Sequence, residues 1–125
     1  MTLRYNDGPQ CHGLPYIEGS LNGVRGAFVI DTGANEPVLT MTAVRRCGIS
    51  FSENTSGAVD TDAGVISVKR VRGATVELAP GVTVHWSNVY VDPRDYPWLG
   101  LIDYKTLKAC HATVNSSDKT ITICR

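Results

Sequence analysis

An apolar run that ends abruptly in an acid constrains this sequence more than any other feature. The strand-like run Phe28–Ile30 leads directly into Asp31-Thr32-Gly33-Ala34. Burial disfavours the charged form of a carboxyl group unless a partner stabilises it, so an acid at the end of an apolar strand is poorly placed for stability. Asp31 is therefore a candidate for chemistry rather than for folding.

The surroundings of this segment predict defined local structure. Asn22-Gly23 favours a tight hairpin turn between predicted strands Leu14–Leu21 and Val24–Ile30, so Asp31 would follow the second strand of a hairpin. Further on, Thr40 can cap a short helix, Met41–Cys47, which has basic residues in its last turn and ends at Gly48.

A second, looser signature lies near the C-terminus. Trp98-Leu99-Gly100 consists of two apolar residues and a glycine, and it precedes a predicted short helix, Leu101–Lys108. Together, in this order and at this separation, the two signatures resemble those of the retropepsin-like aspartic proteases, the single-lobe relatives of pepsin. The resemblance spans roughly residues 12 to 124. It divides the chain into a polar N-terminal extension, 1–11, and a protease domain, 12–125.

The resemblance implies a mostly β fold, a single-lobe closed β-barrel with two short helices, that is active as a two-fold homodimer. Its implied activity is that of an aspartic endopeptidase. Two carboxyl groups that share one proton can activate water and protonate the carbonyl oxygen or the leaving amine. Because this chain carries one Asp-Thr-Gly, the second carboxyl would be Asp31 of another copy, brought near by the two-fold axis.

The same resemblance assigns roles to the residues of both signatures. The implied catalytic residues are Asp31, Thr32 and Gly33. Thr32 can hydrogen-bond across the axis, and the Gly33 N–H can approach the carboxylate. Leu99 and Gly100 would support the site, since a glycine lets their strand pass close beneath the active-site loop. In this mechanism the attacking group is water.

Substrate contacts are predicted in the active-site loop, in a hairpin and in the second signature. The segment from Ser52 to Gly64 is small and polar, and it precedes a predicted strand, Val65–Val71. By resemblance Ala58–Val65 is the candidate flap; an ordinary surface loop is the alternative. Trp98 is bulky enough to fill the pocket beside the scissile bond and restrict substrates to small side chains. The predicted substrate-binding residues are Ala34, Asn35, Ala58, Val59, Asp60, Thr61, Asp62, Ala63, Gly64 and Trp98.

The rest of the chain predicts half-buried antiparallel strands. The pattern alternates apolar and polar residues and is broken by turn signals at Pro80-Gly81 and Ser87-Asn88. The predicted strands are Thr75–Leu78, Val82–Trp86 and Asn88–Val91, followed near the C-terminus by a hairpin of Ala109–Val114 and Thr120–Cys124. We expect Ala112–Ile123 to contribute to the dimer interface, by analogy with the family.

Composition and charge argue against several classes of partner. Twelve basic and twelve acidic residues cancel, and no large basic patch indicates nucleic acid. The sequence has neither a bilayer-spanning apolar run nor a signal-peptide core near Met1, which predicts a soluble protein without a membrane partner and leaves localisation open. The four cysteines lack metal-site spacing, so we expect no metal and no cofactor. Cys110 and Cys124 could pair across the last hairpin as a disulfide, or could be small buried apolar side chains.

Departures from the family pattern keep other functions open. Many viral members carry an ion pair at the positions of Asn35 and Leu101, and members often have Asp or Asn where Ile102 stands, one residue before Asp103. One alternative is a catalytically inactive dimerisation or peptide-binding module. Another is a β-rich domain unrelated to proteases, in which Asp31, Thr32 and Gly33 form a turn.

Overall fold

The computed structural model describes residues 1–49, 56–61 and 64–124, with side chains for 1–49 and 70–124. Over these residues the chain forms strands, two short helices and a 3-10 turn at Pro9–Cys11. The strands are β1 (Thr2–Arg4), β2 (Tyr16–Leu21), β3 (Val24–Ile30), β4 (Val38–Thr40), β5 (Ser56–Thr61), β6 (Gly64–Ala79), β7 (Val82–Asp92), β8 (Gly100–Ile102), β9 (Ala112–Asn115) and β10 (Thr120–Ile123). The helices are α1 (Met41–Cys47) and α2 (Tyr104–Ala109).

Most strands belong to one sheet that closes on itself. Its order is β2-β3-β8-β4-β7-β6-β5, and a further pairing of β2 with β6 completes the ring. β5 lies outside this ring and pairs with β6 alone among the described strands. The fold is therefore a closed β-barrel with one hairpin extending from it, and the predicted mostly β class is confirmed.

The first hairpin forms as the sequence predicts. β2 and β3 pair antiparallel from Tyr16↔Val29 to Leu21↔Val24. Asn22 and Gly23 both adopt positive φ, 49° and 87°, the combination that a tight two-residue hairpin requires. Asn22 also fixes the turn to β6, because its Oδ1 accepts a hydrogen bond of 2.9 Å from the Thr75 N–H.

β3 is apolar along its second half because it is buried on both faces. Phe28 and Ile30 point into the main core, which fills the barrel and continues toward the β9–β10 sheet. Ala27 and Val29 point the other way, into a second cluster whose remaining buried members are Cys11, Tyr16 and Trp98. A strand covered on both sides reads as a continuous apolar run, which explains why Asp31 ends it so sharply.

The N-terminal segment is part of the fold. β1 pairs with β10, and β10 with β9, in a separate sheet. The N-terminal ammonium donates to the Ile123 carbonyl at 2.9 Å, and Cys11 is fully buried. Residues 1–11 thus pack against the body rather than extending freely from it. The domain boundary at residue 12 stays a prediction.

Two sequence expectations are wrong in detail. Ser87-Asn88 does not separate two strands, because β7 runs through it. Asn88 takes a left-handed φ of 60°, and Ser87 and Val89 on either side of it stay paired with β6. The last predicted helix begins at Tyr104 rather than Leu101, because Gly100–Ile102 is a strand and Asp103 caps the helix through a hydrogen bond from the Thr106 N–H.

Helix α1 forms where predicted and is joined to the second signature through its cap. Thr40 Oγ1 accepts a hydrogen bond from the Ala43 N–H at 3.2 Å and donates to the carbonyls of Trp98, at 2.6 Å, and Leu99, at 3.1 Å. Gly48 ends the helix with a left-handed φ of 63°. Buried Thr40 therefore connects the start of α1 to the chain entering β8.

Replacing Thr40 with valine keeps the shape of the side chain but removes these hydrogen bonds. We expect Thr40→Val to lower the free energy of unfolding by about 2 kcal/mol, because it removes a cap and the hydroxyl donor to the Trp98 carbonyl, whereas the Leu99 carbonyl keeps the Thr40 backbone N–H. Chemical denaturation would measure the difference. The matched control is Thr113→Val on exposed β9, which should change stability by less than about 0.5 kcal/mol. Equal effects of the two substitutions would contradict the role assigned to Thr40.

Candidate active site

Asp31 lies in a loop whose backbone is held at both ends by the segment around β8. The Asp31 N–H donates to the Ile102 carbonyl at 2.9 Å, and the Ala34 carbonyl accepts from the Tyr104 N–H, also at 2.9 Å. Just before the loop, the Ile30 N–H donates to the Pro15 carbonyl at 2.8 Å. Both ends of a four-residue loop are therefore anchored through backbone groups, which fixes its position independently of its side chains.

Within the loop, the carboxyl group is oriented by a backbone donor. The Gly33 N–H donates to Asp31 Oδ1 at 3.1 Å, and the Ala34 N–H donates to the Asp31 carbonyl at 3.2 Å, closing a turn. Asp31 is half-buried, whereas Thr32 and Gly33 are exposed. The result is a carboxyl group held at the surface in a defined orientation, an arrangement suited to binding or proton transfer.

The loop depends on β8 fitting between two other strands. β8 pairs parallel with β3, Phe28↔Gly100 to Ile30↔Ile102, and antiparallel with β4 through Val38↔Leu101 and Leu39↔Gly100. A Cβ added at Gly100 would lie 2.7 Å from the Val38 carbonyl oxygen, closer than real Cβ contacts come. Glycine is required here because two backbones approach each other directly.

Thr32 and Gly33 have features that no contact within the described part of the chain explains. The Thr32 hydroxyl has no hydrogen-bond partner among the residues that the structure describes. A Cβ added at Gly33 would meet Asp31 Oδ1 at 3.5 Å, an ordinary van der Waals distance. Nothing in the described single chain therefore requires a hydroxyl at Thr32 or the absence of a side chain at Gly33.

Leu99 and Trp98 of the second signature pack into two different hydrophobic clusters. Leu99 is buried in the main core, and its N–H donates to the Ala27 carbonyl at 2.8 Å. Trp98 is 5% exposed in the second cluster, stacked on Tyr96 with 4.6 Å between ring centroids and in edge contact with His12 at 5.2 Å. In this conformation the indole offers little surface to a ligand, and its predicted contact with substrate stays a prediction.

Comparison with known proteins places this site in a family. The family model described as "gag-polyprotein putative aspartyl protease" matches residues 17–109, which include both signatures. The chain belongs to this family. The retroviral protease-like domain of Ddi1 from Leishmania major has a similar fold, with a TM-score of 0.62 and 20% identity over 86% of this chain and 87% of that one. No functionally curated protein matches.

The family membership and the shared fold confirm the retropepsin-like architecture. The two departures from the viral pattern occur together, so neither creates an unpaired charge: Asn35 is exposed, and Leu101 is partly buried against the second cluster. Ile102 stays in the strand, paired with Ile30, and Asp103 takes the helix-cap position one residue later. The loop of this family member is thus anchored by backbone hydrogen bonds rather than by an ion pair.

The predicted flap falls on the hairpin that extends from the barrel. β5 and β6 pair antiparallel from Ser56↔Lys69 to Thr61↔Gly64, so Ala58, Val59 and Asp60 lie on one strand near its end. Asp62 and Ala63 lie outside the described residues. A hairpin is confirmed at this position, and its action as a flap stays a prediction.

A cleft lined in part by Asn35 and Glu36, which follow the loop, was not predicted from the sequence. It has a volume of about 370 Å³, and Asn35 and Glu36 share its wall with β7 and α2. Asp103, which is fully buried, also lines it. The sequence shows that Asp103 stands one residue beyond the position usual in the family. That displacement does not predict a cleft, because the wall of the cleft is formed by segments far apart in the chain.

The described part of the chain shows neither a metal-binding cluster nor a membrane-spanning helix. It contains no group of three or more side chains of His, Cys, Asp or Glu that could hold a metal ion. None of its helices has the length and apolar character needed to cross a membrane. Cys110 and Cys124 are free thiols, and burial raises the pKa of the Cys110 thiol, which favours its neutral form.

The close approach at Gly100 predicts a large effect of one methyl group. We expect Gly100→Ala to lower the free energy of unfolding by about 2 kcal/mol or more, because the Val38 backbone must move to admit the Cβ. Thermal unfolding would measure it. Gly73→Ala in β6 is the matched control, since its Cβ would meet the Trp86 carbonyl at an ordinary 3.4 Å. If Gly100→Ala were as stable as Gly73→Ala, the proposed packing of β8 would be wrong.

Proposed function

We propose that this chain is a homodimeric aspartic endopeptidase. The observation that carries the proposal is the Asp31 carboxyl group, held at the surface by the Gly33 N–H on a loop anchored by β8. Family membership supports the same reaction class. A carboxyl group in a fixed loop can act as a general base only if it stays in place while a proton moves, and the backbone anchoring provides that rigidity.

Peptide hydrolysis by this route needs two carboxyl groups. One carboxylate removes a proton from water as the water attacks the carbonyl carbon, while the other, protonated, donates to the carbonyl oxygen. The proton then passes to the leaving amine as the tetrahedral intermediate collapses. The chain supplies one Asp31, so a two-fold dimer that places Asp31 beside its mate provides both roles.

The exposed loop residues support a second copy as the partner. The Thr32 hydroxyl has no hydrogen-bond partner within the described part of the chain. Position 33 has no side chain, although the surrounding residues of the chain leave space for a Cβ. Both properties are explained if another loop approaches closely here. In the dimer, Thr32 donates a hydrogen bond across the axis, and Gly33 leaves space for the opposing backbone and the substrate.

The substrate class in this proposal is an extended peptide bound as an added strand. Ala34 and Asn35 follow the catalytic loop and would contact the peptide backbone, and the hairpin containing Ala58–Gly64 would close over it. The buried indole of Trp98 would bound the pocket beside the scissile bond only from behind. A preference for small side chains at the cleaved position would follow only if the bulk of Trp98 fills that pocket.

A second candidate is a catalytically inactive dimerisation or peptide-binding module. The observation in its favour is that the loop is held by backbone hydrogen bonds, which require no catalytic group and would persist after activity was lost. Peptide binding by strand addition would use the same surface. The two candidates differ only in whether Asp31 transfers protons.

Cleavage profiling separates these candidates. Wild-type protein and Asp31→Asn are incubated with a proteome-derived peptide library from mildly acidic to neutral pH, and the products are identified by mass spectrometry. We expect cleavages in wild type that fall at least a hundredfold in Asp31→Asn, because an amide cannot act as the base. An intact library with folded, dimeric wild type would favour the binding module. Cleavage that survives Asp31→Asn would contradict the roles of Asp31 as general base and as general acid.

Dimerisation through the loop predicts an unusual pair of phenotypes. Thr32→Val and Gly33→Ala should each leave the unfolding midpoint of the dilute monomer unchanged, because neither change disturbs a contact within the described chain. Each should weaken the dimer about tenfold or more in analytical ultracentrifugation. Thr83→Val, at an exposed position of β7 outside the segment Ala112–Ile123, is the control for a neutral threonine substitution. An unchanged dimer in both loop variants would place the interface elsewhere.

A further inference from the structure

The exposed turn between β2 and β3 carries a dipeptide that can modify itself. Asn22 is followed by Gly23, and no other asparagine in the chain is followed by glycine. The backbone nitrogen of the next residue can attack the side-chain amide carbon of an asparagine, and glycine permits this best because it has no side chain to obstruct the approach. Both residues are exposed, so water and base reach them.

The reaction converts asparagine to aspartate or isoaspartate with water as its one co-reactant. The Gly23 nitrogen loses its proton to base and bonds to Asn22 Cγ, and the Cγ–Nδ2 bond breaks with release of ammonia. Water then opens the resulting succinimide ring. Attack of water at Cγ gives aspartate with the original backbone, whereas attack at the main-chain carbonyl carbon gives isoaspartate, whose backbone runs through Cγ and is one atom longer.

Asn22 also lies at the end of the seam that closes the barrel, the pairing of β2 with β6. The two strands pair over two positions, the last of which is Leu21↔Val76. Beyond it the Asn22 N–H donates to the Thr75 carbonyl at 2.9 Å, and the Thr75 N–H donates to Asn22 Oδ1, also at 2.9 Å. The side-chain amide therefore takes the place of a backbone acceptor in the last bridge of the seam.

The hydrogen bond at Oδ1 opposes the reaction. Attack requires Cγ to turn toward the Gly23 nitrogen, but Cγ is held while Oδ1 is bonded to β6. Asn22 and Gly23 are further fixed by positive φ values of 49° and 87°. Groups that a closed structure protects react in proportion to the population of its locally open form. The turn should therefore react mainly when β2 separates from β6.

We propose that Asn22 is a deamidation site that the closed seam protects and that records opening of the seam. Isoaspartate at this position adds a backbone atom to a two-residue turn and displaces the oxygen that binds the Thr75 N–H, so the seam cannot close again. Aspartate keeps an acceptor in that place, and the seam can form again. The inference concerns the closure of the barrel and does not depend on the proposed protease activity.

Gly19 offers a way to open the seam without changing the turn. A Cβ at this position would lie 2.6 Å from the Glu77 carbonyl oxygen, so Gly19→Ala forces β2 away from β6. The matched control is Gly73→Ala, whose Cβ would meet the Trp86 carbonyl oxygen at an ordinary 3.4 Å. Both variants keep the sequence of the turn.

Deamidation is measured by ageing the proteins at mildly alkaline pH and locating the product by peptide mapping with mass spectrometry. Asn115 is the internal reference, because it is exposed and its side chain is held by N–H groups of its own turn rather than by the barrel. We expect deamidation at Asn22 to be about tenfold faster in Gly19→Ala than in wild type or Gly73→Ala, with the rate at Asn115 unchanged. If Gly19→Ala fails to fold, wild type in urea below its unfolding midpoint gives the same comparison.

Refolding tests the consequence of the modification. Protein aged in urea contains both products, and after refolding and size-exclusion chromatography the native fraction should be depleted of isoaspartate about tenfold, because the longer backbone does not fit the turn. Asn22→Asp should refold like wild type.

Three results would overturn the proposal. They are equal rates at Asn22 with the seam strained and unstrained, absence of deamidation at Asn22 in fully unfolded protein, and isoaspartate in the native fraction in the same proportion as in the aged protein.

Discussion

The insertion of β8 between β3 and β4 is the constraint on which the rest of this structure depends. It brings a C-terminal segment into contact with both strands that flank the Asp31 loop, and it closes the barrel. The requirement is steric: at Gly100 the Val38 carbonyl occupies the space where a Cβ would lie. Without that close approach, the loop would lose the Ile102 carbonyl that accepts a hydrogen bond from the Asp31 N–H and holds Asp31 in place.

The site uses two kinds of polar group for two different purposes. Backbone N–H and carbonyl groups fix positions, as at Asp31 and Ala34, so side chains in the loop are free for other interactions. Side-chain networks instead fix orientations in buried places, as where the Trp86 indole N–H donates to Thr106 Oγ1 and the Thr106 hydroxyl donates to Asp103 Oδ1. A loop anchored by its backbone tolerates a changed sequence, which is consistent with the absence of the viral ion pair at Asn35 and Leu101.

Local rules account for the parts of the fold that the sequence predicted well. Asn22-Gly23, the cap at Thr40 and the stop at Gly48 each act within a few residues, so their structures follow from short-range chemistry. Errors arose where long-range pairing decided the outcome. Gly100–Ile102 is a strand because β3 and β4 lie on either side of it, and Asn88 stays in β7 because β6 holds the ladder around it.

In the candidate site, too, some features follow from the local sequence and others from long-range packing. Asp31 could be identified from its position after an apolar run, whereas the cleft beside Asp103 could not, since its wall joins residues about seventy positions apart along the chain. Burial of Trp98 was also hidden, because its neighbours Cys11 and Tyr16 come from the opposite end of the sequence. Sequence patterns indicate which residues are chemically unusual; packing determines what surrounds them.

The position of β8 in the chain also determines when the Asp31 loop can form during synthesis. Asp31 leaves the ribosome well before β8, the strand that anchors its loop and that begins at Gly100. Until then β3 and β4 lack the neighbour that lies between them, so the loop has its sequence without its geometry. A nascent chain therefore carries the acidic residue in an unassembled form until β8 has been synthesised, and the site becomes structured only after that.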